Sequence, residues 1–339
     1  MFLWQNQPPL QPLRAIQKFT TAVVVLFDQR SGHGNYFHHQ TELIARTLWF
    51  LRDVYRPKEK KWKNVQFLIP PGVLLHLETF NAEELYLNMP RPEQIVHWKS
   101  NDRFYFKTMY TVDWTAPMDM SKTGVLGDQK WIKVAQPIWN VHFPPRSLLR
   151  LTHEAMRTST HVHQYDRLGF GGRTREDSPQ VKIVWYSRSD MEKRHVVGEE
   201  QVVRQLQARF GKFSVEIFTG GISFDVERNM KVFGSADLVV GPHGAGLANM
   251  LMCKKETSIV LLPSCDAVGC PSSADSYFGY LASALGFEMV AVKNGPKATF
   301  FSNYSIVEEQ AHSIVGVVED VMRRRGLLKK ARFSGSDEL

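Results

Sequence analysis

The sequence predicts an α/β protein with parallel, doubly wound sheets, organised as two α/β halves. Three observations predict it. From about Gln180 onward, short apolar runs alternate with segments of helical period. A less regular version of the same alternation occupies the first half. Between them lies a polar stretch, His161 to Pro179, with Gly169, Gly171 and Gly172, which reads as a linker or active-site loop. The expected organisation is residues 1–165 as an N-terminal α/β domain, 166–179 as the linker or active-site loop, 180–330 as a C-terminal Rossmann-like domain and 331–339 as a polar tail.

In the first half, Thr20 to Phe27 (TTAVVVLF) reads as a strand. Tyr36 to Tyr55 reads as a helix, with Phe37, Leu43, Ile44, Leu48 and Leu51 apolar. Val65 to Ile69 is a strand before Pro70-Pro71, and Ile95 to Trp98 and Phe104 to Val112 are further strands. In the second half, Val181 to Tyr186 is a buried strand, and Glu199 to Phe210 a helix through Val202, Val203, Leu206 and Phe210. Phe213 to Phe218 is the next strand, Asn229 to Phe233 lies on a helix, and Ala236 to Val240 is a third strand. A helix is expected after the glycine turn that ends it. Thr257 to Leu262 and Phe287 to Val292 are strands on either side of a helix, Ala274 to Leu285. Ile306 to Arg325 is a long helix whose basic end, Arg323-Arg324-Arg325, suits the negative end of its dipole.

Composition narrows the classes. The 339 residues carry a formal net charge of +8 and a pI near 9.3, which suits anionic ligands. The basic residues form no single stripe with interleaved aromatics, so nucleic acid is not expected as a partner. No apolar stretch reaches the roughly 18 residues of a membrane span. Three cysteines, Cys253, Cys265 and Cys270, do not make a disulfide framework, although Cys265 and Cys270 bracket a short loop and could pair in an oxidising lumen. Neither CxxC nor HExxH metal spacing occurs. The last four residues, Ser336-Asp337-Glu338-Leu339, resemble the K/H-D-E-L signal of the endoplasmic reticulum, and Asn303-Tyr304-Ser305 is a glycosylation sequon. The expectation is a protein of the endoplasmic reticulum lumen, with the Golgi as alternative, whose full-length precursor carries a leader.

Two segments carry the chemistry. Gly241-Pro242-His243-Gly244-Ala245-Gly246 ends a strand, where ligands of open α/β sheets bind. Gly244 and Gly246 let the backbone approach a ligand, a following helix would present free N–H groups to phosphate, and His243 can donate a hydrogen bond. Arg188 and Arg194 follow another strand of the same half, on the same edge, as planar donors for phosphate oxygens. No G-x-G-x-x-G follows the first strand of either half, which disfavours an NAD-dependent enzyme.

Together with a third segment, these resemble glycosyltransferase family 61. That family's pattern is an R-x5-R loop after a strand, a strand ending in G-x-HGAGL-x-N, and an upstream N-x-x-H-x-x-x-E. Here they read Arg188…Arg194, Gly241 through Asn249, and Asn35…His38…Glu42. The resemblance implies a GT-B architecture, with two Rossmann-like domains facing across a cleft. It implies an inverting transfer of GlcNAc or a pentose from a UDP-sugar to a hydroxyl of a glycoprotein or glycan acceptor, with no metal or other cofactor required. The C-terminal domain would hold the nucleotide sugar through Arg188, Arg194, His243, Gly244, Ala245, Gly246 and Asn249. The N-terminal domain would face the acceptor and include Asn35. Three positions depart from the pattern: Asn229 stands where a Gln is frequent, Leu261 where a Glu is usual, and Gly198-Glu199 where an Asn commonly follows the arginine loop.

An inverting transfer needs one base for the acceptor proton and positive groups for the departing diphosphate. His38 and Glu42 are four residues apart, on one face of a helix. His38 is the more natural base near neutral pH, with Glu42 orienting it. The alternative is a nucleotide-sugar or glycan-binding homologue with weak or no catalysis, which Leu261 and Gly198 would favour.

Overall fold

The structure is a computed structural model; it describes residues 16–25, 36–69, 90–97, 102–112, 146–158, 181–219, 226–263, 273–292 and 303–328. It is mixed α/β, and every strand pair among the described residues is parallel.

The first half contributes β1 (Ile16–Val25), β2 (Val65–Ile69), β3 (Ile95–His97) and β4 (Arg103–Val112), in the order β3-β2-β1-β4. Strand β1 starts four residues earlier than the sequence predicts because β4 pairs along its whole length, from Ile16 opposite Arg103 to Val25 opposite Val112. The predicted helix is continuous but not uniform. This helix, α1, is α-helical over Tyr36–His38 and Ala45–Trp49 and π-helical over His39–Ile44 and Phe50–Val54. The Thr41 hydroxyl donates to the Phe37 carbonyl at 2.8 Å and the Thr47 hydroxyl to Leu43 at 2.9 Å. Such back-bonding competes for the carbonyl that an α-turn uses. Thr41 lies within the first π segment and Thr47 just before the second.

A helix the sequence pattern does not reveal, α2 (Arg146–Thr158), follows. The second half then alternates as predicted, with two short unpredicted strands, β6 and β11, added: β5 (Ile183–Tyr186), β6 (Val196–Val197), α3 (Glu199–Phe210), β7 (Val215–Phe218), α4 (Val226–Gly234), β8 (Leu238–Pro242), β9 (Ser258–Leu262), α5 (Ser273–Leu285), β10 (Met289–Ala291), β11 (Tyr304–Ser305) and α6 (Glu308–Arg324). The expected helix after the glycine turn is instead a 3-10 segment, Ala245–Met252. The Leu247 amide bonds the Gly244 carbonyl three residues back, and small residues there allow the tighter winding.

The five-stranded sheet has the order β10-β9-β8-β5-β7. Counting its strands along the chain, that is 2-1-3-4-5, the flavodoxin-like order, whose direction reverses between β5 and β8. Strands β5, β8 and β9 are buried at every residue because helices cover both faces. Ile183 and Trp185 pack with Val202 and Leu206 of α3 and Ile314 and Val318 of α6. Val184 and Tyr186 point the other way, into a cluster with Phe233, Leu247 and Leu281. That second cluster also contains Leu43, Leu48 and Leu51 of α1 and Phe67 of β2, so one core runs through both halves. Helix α2 packs on α5, on the 3-10 segment and on α1. The 166–179 segment, the SDEL ending, Cys265 and Cys270 lie outside the described residues.

Candidate active site

The carboxyl ends of β5 and β8 meet where the sheet order reverses, the usual ligand crevice of such sheets. Two glycines set how closely these ends pack. A Cβ on Gly241 would stand 2.7 Å from the Tyr186 carbonyl oxygen and 2.8 Å from its Cβ, so β8 can lie against β5 only without a side chain there. A Cβ on Gly244 would stand 2.3 Å from Arg188 Nη1 and 3.0 Å from the Tyr186 hydroxyl. Gly244 itself is extended. Its missing side chain is the space the Arg188 guanidinium occupies.

Arg188 is buried, at 3% exposure. Its Nη1 donates to the Tyr186 hydroxyl at 3.1 Å and its Nη2 to the Lys193 carbonyl at 3.1 Å. Its Nε is buried with no hydrogen-bond partner among the described residues. A buried cationic donor without an acceptor is costly and favours an anion beside it. Arg194 has φ 60, and no other described residue except glycine has positive φ. The charges of Arg188 and Arg194 both act on the Tyr186 hydroxyl, whose ionisation burial pushes up, so the two ends of the R-x5-R loop converge there. The predicted helix N-terminus at this turn is the start of the 3-10 segment Ala245–Met252.

His243 is buried and stands edge-on to Phe278 of α5, with ring centroids 4.9 Å apart. Phe37 of α1 stands edge-on to the same Phe278 ring at 5.1 Å. This aromatic stack brings the third segment to the turn. On α1, His38 Nδ1 hydrogen-bonds Glu42 Oε1, one turn on. Glu42 is almost fully buried, while His38 keeps 15% of its side chain exposed. Burial, and next the Glu42 carboxylate, push up the ionisation of Tyr277, so that ring belongs to the same cluster.

The described site residues from the sequence thus gather around one place. Asn35 lies outside the described residues. The Asn249 side chain is buried and its Oδ1 accepts a hydrogen bond from the Tyr36 hydroxyl at 2.5 Å. Tyr36, Tyr186, Tyr277 and Phe278 are the members sequence reasoning missed, and Asn229 was noted only as a departure from the family's pattern. Tyr36 sits inside the Asn35…His38 motif and Tyr186 two residues before Arg188, so proximity to the motifs was the available signal. Asn229 Nδ2 donates to Tyr36 at 3.2 Å, from the position where a Gln is frequent. Leu261 is wholly buried in β9. Glu199, after Gly198, is held by the Trp185 indole at 2.8 Å and the Ser187 hydroxyl at 2.6 Å. Among the described residues no group of three or more His, Cys, Asp or Glu is placed to hold a metal ion, and no helix is long and apolar enough to cross a membrane.

The family model for glycosyltransferase 61 matches residues 36–260, from the helix that begins at Tyr36 into the middle of β9. The chain belongs to glycosyltransferase family 61. The family is one of glycosyltransferases by name, and glycosyl transfer in general requires a sugar donor and an acceptor. No curated protein matches the chain significantly. Among solved structures, it is similar to the bacterial iron-containing dodecameric glycosyltransferase TibC of enterotoxigenic E. coli H10407. That similarity is 11% identity over 76% of this chain and 61% of the other, with a TM-score of 0.28. It is also similar to the dodecameric iron-containing heptosyltransferase TibC in complex with ADP-D-β-D-heptose, at 10% identity, 77% and 62% coverage and a TM-score of 0.30. The chain thus spans less than two thirds of the length of either neighbour.

Proposed function

We propose that the protein is an inverting, metal-independent glycosyltransferase that moves GlcNAc or a pentose from a UDP-sugar to a hydroxyl of a glycoprotein or glycan. The observation that carries this reading is the convergence of Arg188, Arg194 and the Gly241–Gly246 turn at one sheet edge, with the His38–Glu42 pair drawn to it through Phe37 and Phe278. Two guanidinium groups neutralise the diphosphate, the role a divalent cation plays elsewhere. His38 takes the proton of the acceptor hydroxyl as that oxygen attacks the anomeric carbon, and UDP departs from the opposite face. Glu42 holds the imidazole by Nδ1, which leaves Nε2 to accept the proton. The reading includes a GT-B arrangement, in which the first half faces the acceptor and the second holds the nucleotide, and residence in the endoplasmic reticulum lumen.

Leu261 favours a second reading, a binding protein without transfer, because a buried leucine in β9 offers nothing to a ribose hydroxyl. Mass spectrometry of UDP release from UDP-GlcNAc, UDP-xylose, UDP-arabinose and UDP-glucose separates the two. Turnover of one donor, sustained in chelator, is the expected result. UDP binding with no turnover of any donor would support the binding protein.

A further inference from the structure

Three buried polar side chains from three different elements meet at the Tyr36 hydroxyl. It donates to Asn249 Oδ1 at 2.5 Å and accepts from Asn229 Nδ2 at 3.2 Å. Tyr36, Asn229 and Asn249 are each no more than 1% exposed. Tyr36 opens α1, Asn229 lies in α4, and Asn249 lies in the 3-10 segment five residues past Gly244.

The placement has mechanical consequences. Tyr36 is two residues before His38, at the end of a helix that turns π-helical immediately afterwards. A π segment is a weak internal brace, since its ladder is shifted and less regular. The direction of the His38 ring therefore depends on what holds the first turn from outside. Phe37 supplies an apolar contact through Phe278. Tyr36 supplies a directional one, because a hydrogen bond fixes distance and angle where an aromatic edge allows sliding. Burial pushes the phenol's ionisation well above its ordinary range, so it stays a donor.

We propose that Tyr36 is the positioning residue of the site, its hydroxyl pinning the helix that carries His38 and Glu42 to the segment that follows the donor-binding turn. This rests on the proposed transferase reading. A catalytic pair must be held within about 0.5 Å of its working geometry. Losing the pin therefore misplaces the base while Arg188, Arg194 and the glycine turn of the donor site keep their contacts, Asn249 alone losing one.

The test compares Tyr36→Phe with wild type, each alone and with His38→Gln. It reads kcat, donor KM and the ring signals of selectively labelled histidines by NMR, with thermal melting as a check of folding. Tyr36→Phe is expected to lower kcat about 10-fold or more while donor KM stays within about twofold, the signature of a group acting only in the transition state. With His38→Gln it should add no further loss, since the group it positions is gone. The His38 ring signals should move and those of the exposed His312 should not. Asn249→Leu, which breaks the same bond from the other side, should move His38 in the same way. Unmoved His38 signals in both folded variants, or a kcat loss of the same factor with and without His38, would overturn the proposal. A wild-type protein inactive on every UDP-sugar would overturn the transferase reading instead, and the His38 signals would still decide whether Tyr36 positions that ring.

Discussion

Gly244 and Arg188 share one space: the guanidinium of the arginine lies where a glycine side chain would begin. An added methyl would meet Nη1 at 2.3 Å and the arginine Cδ at 3.1 Å. Because Gly244 is extended, alanine meets no backbone penalty there, and the effect falls on Arg188 first and on the Tyr186 hydroxyl that it bonds. Gly244→Ala should therefore weaken UDP binding about as much as Arg188→Ala, by roughly 1.5–3 kcal/mol, the range for hydrogen bonds to charged groups. Calorimetry on the two variants checks it. Unchanged affinity in Gly244→Ala would detach the glycine from the phosphate clamp.

Arg194 pays for its position in backbone conformation, at φ 60. A left-handed non-glycine residue costs on the order of 1–2 kcal/mol. Arg194→Gly removes the charge and the strain together. It should leave thermal stability equal or slightly higher and weaken UDP binding by roughly 1.5–3 kcal/mol. A loss of stability with intact binding would make Arg194 a structural residue.

Much of the second half was legible because buried parallel strands read as unbroken apolar runs; Ile183 to Tyr186 and Ile259 to Leu262 are such runs. The motif residues were legible because arginine, histidine and glycine stand out beside those runs. Helix α2 was not. Its buried face includes Thr152 and His153 among its leucines, which interrupts the apolar stripe. The two-residue strands β6 and β11 pair Val196 with Tyr304, and no local pattern announces a pairing across that separation. Tyr36 read only as the first residue of a helix, since nothing local shows that its hydroxyl meets Asn229 and Asn249.

His153 makes stability depend on pH. Burial, more than anything else, lowers its pKa to about 4, and the ring is held at Nδ1 by the Leu251 carbonyl at 2.9 Å. Nε2 is buried without a partner among the described residues. Between pH 6.5 and about 4 the unfolded chain therefore binds a proton that the folded chain refuses. The folded state is favoured fully above pH 6.5 and loses stability as pH falls toward 4, by about 3 kcal/mol from this group. Denaturant unfolding at pH 7, 5.5 and 4.5 should show that slope in wild type and a shallower one in His153→Gln. Parallel slopes would remove His153 from the account.

The His38–Glu42 pair should matter to the rate and not to the donor. His38→Ala should lower turnover by about 10²-fold or more, within the range for general-base catalysis. Glu42→Gln should cost less if the carboxylate only orients the imidazole. UDP affinity should change little in either, since proton removal occurs in the transition state. Turnover and UDP titration side by side decide it. Near-normal turnover in both moves the base elsewhere, and equal loss of UDP binding makes the segment part of the donor site.

The central claim is that two arginines hold the donor diphosphate without a metal ion. Its most direct test is calorimetric titration of UDP into wild type and Arg188→Ala, in chelator and again with added Mn²⁺. The account predicts saturable binding to wild type in chelator, little change with Mn²⁺, and a loss of roughly 1.5–3 kcal/mol in Arg188→Ala. Binding that appears only with Mn²⁺, or that is equal in the two proteins, would contradict it.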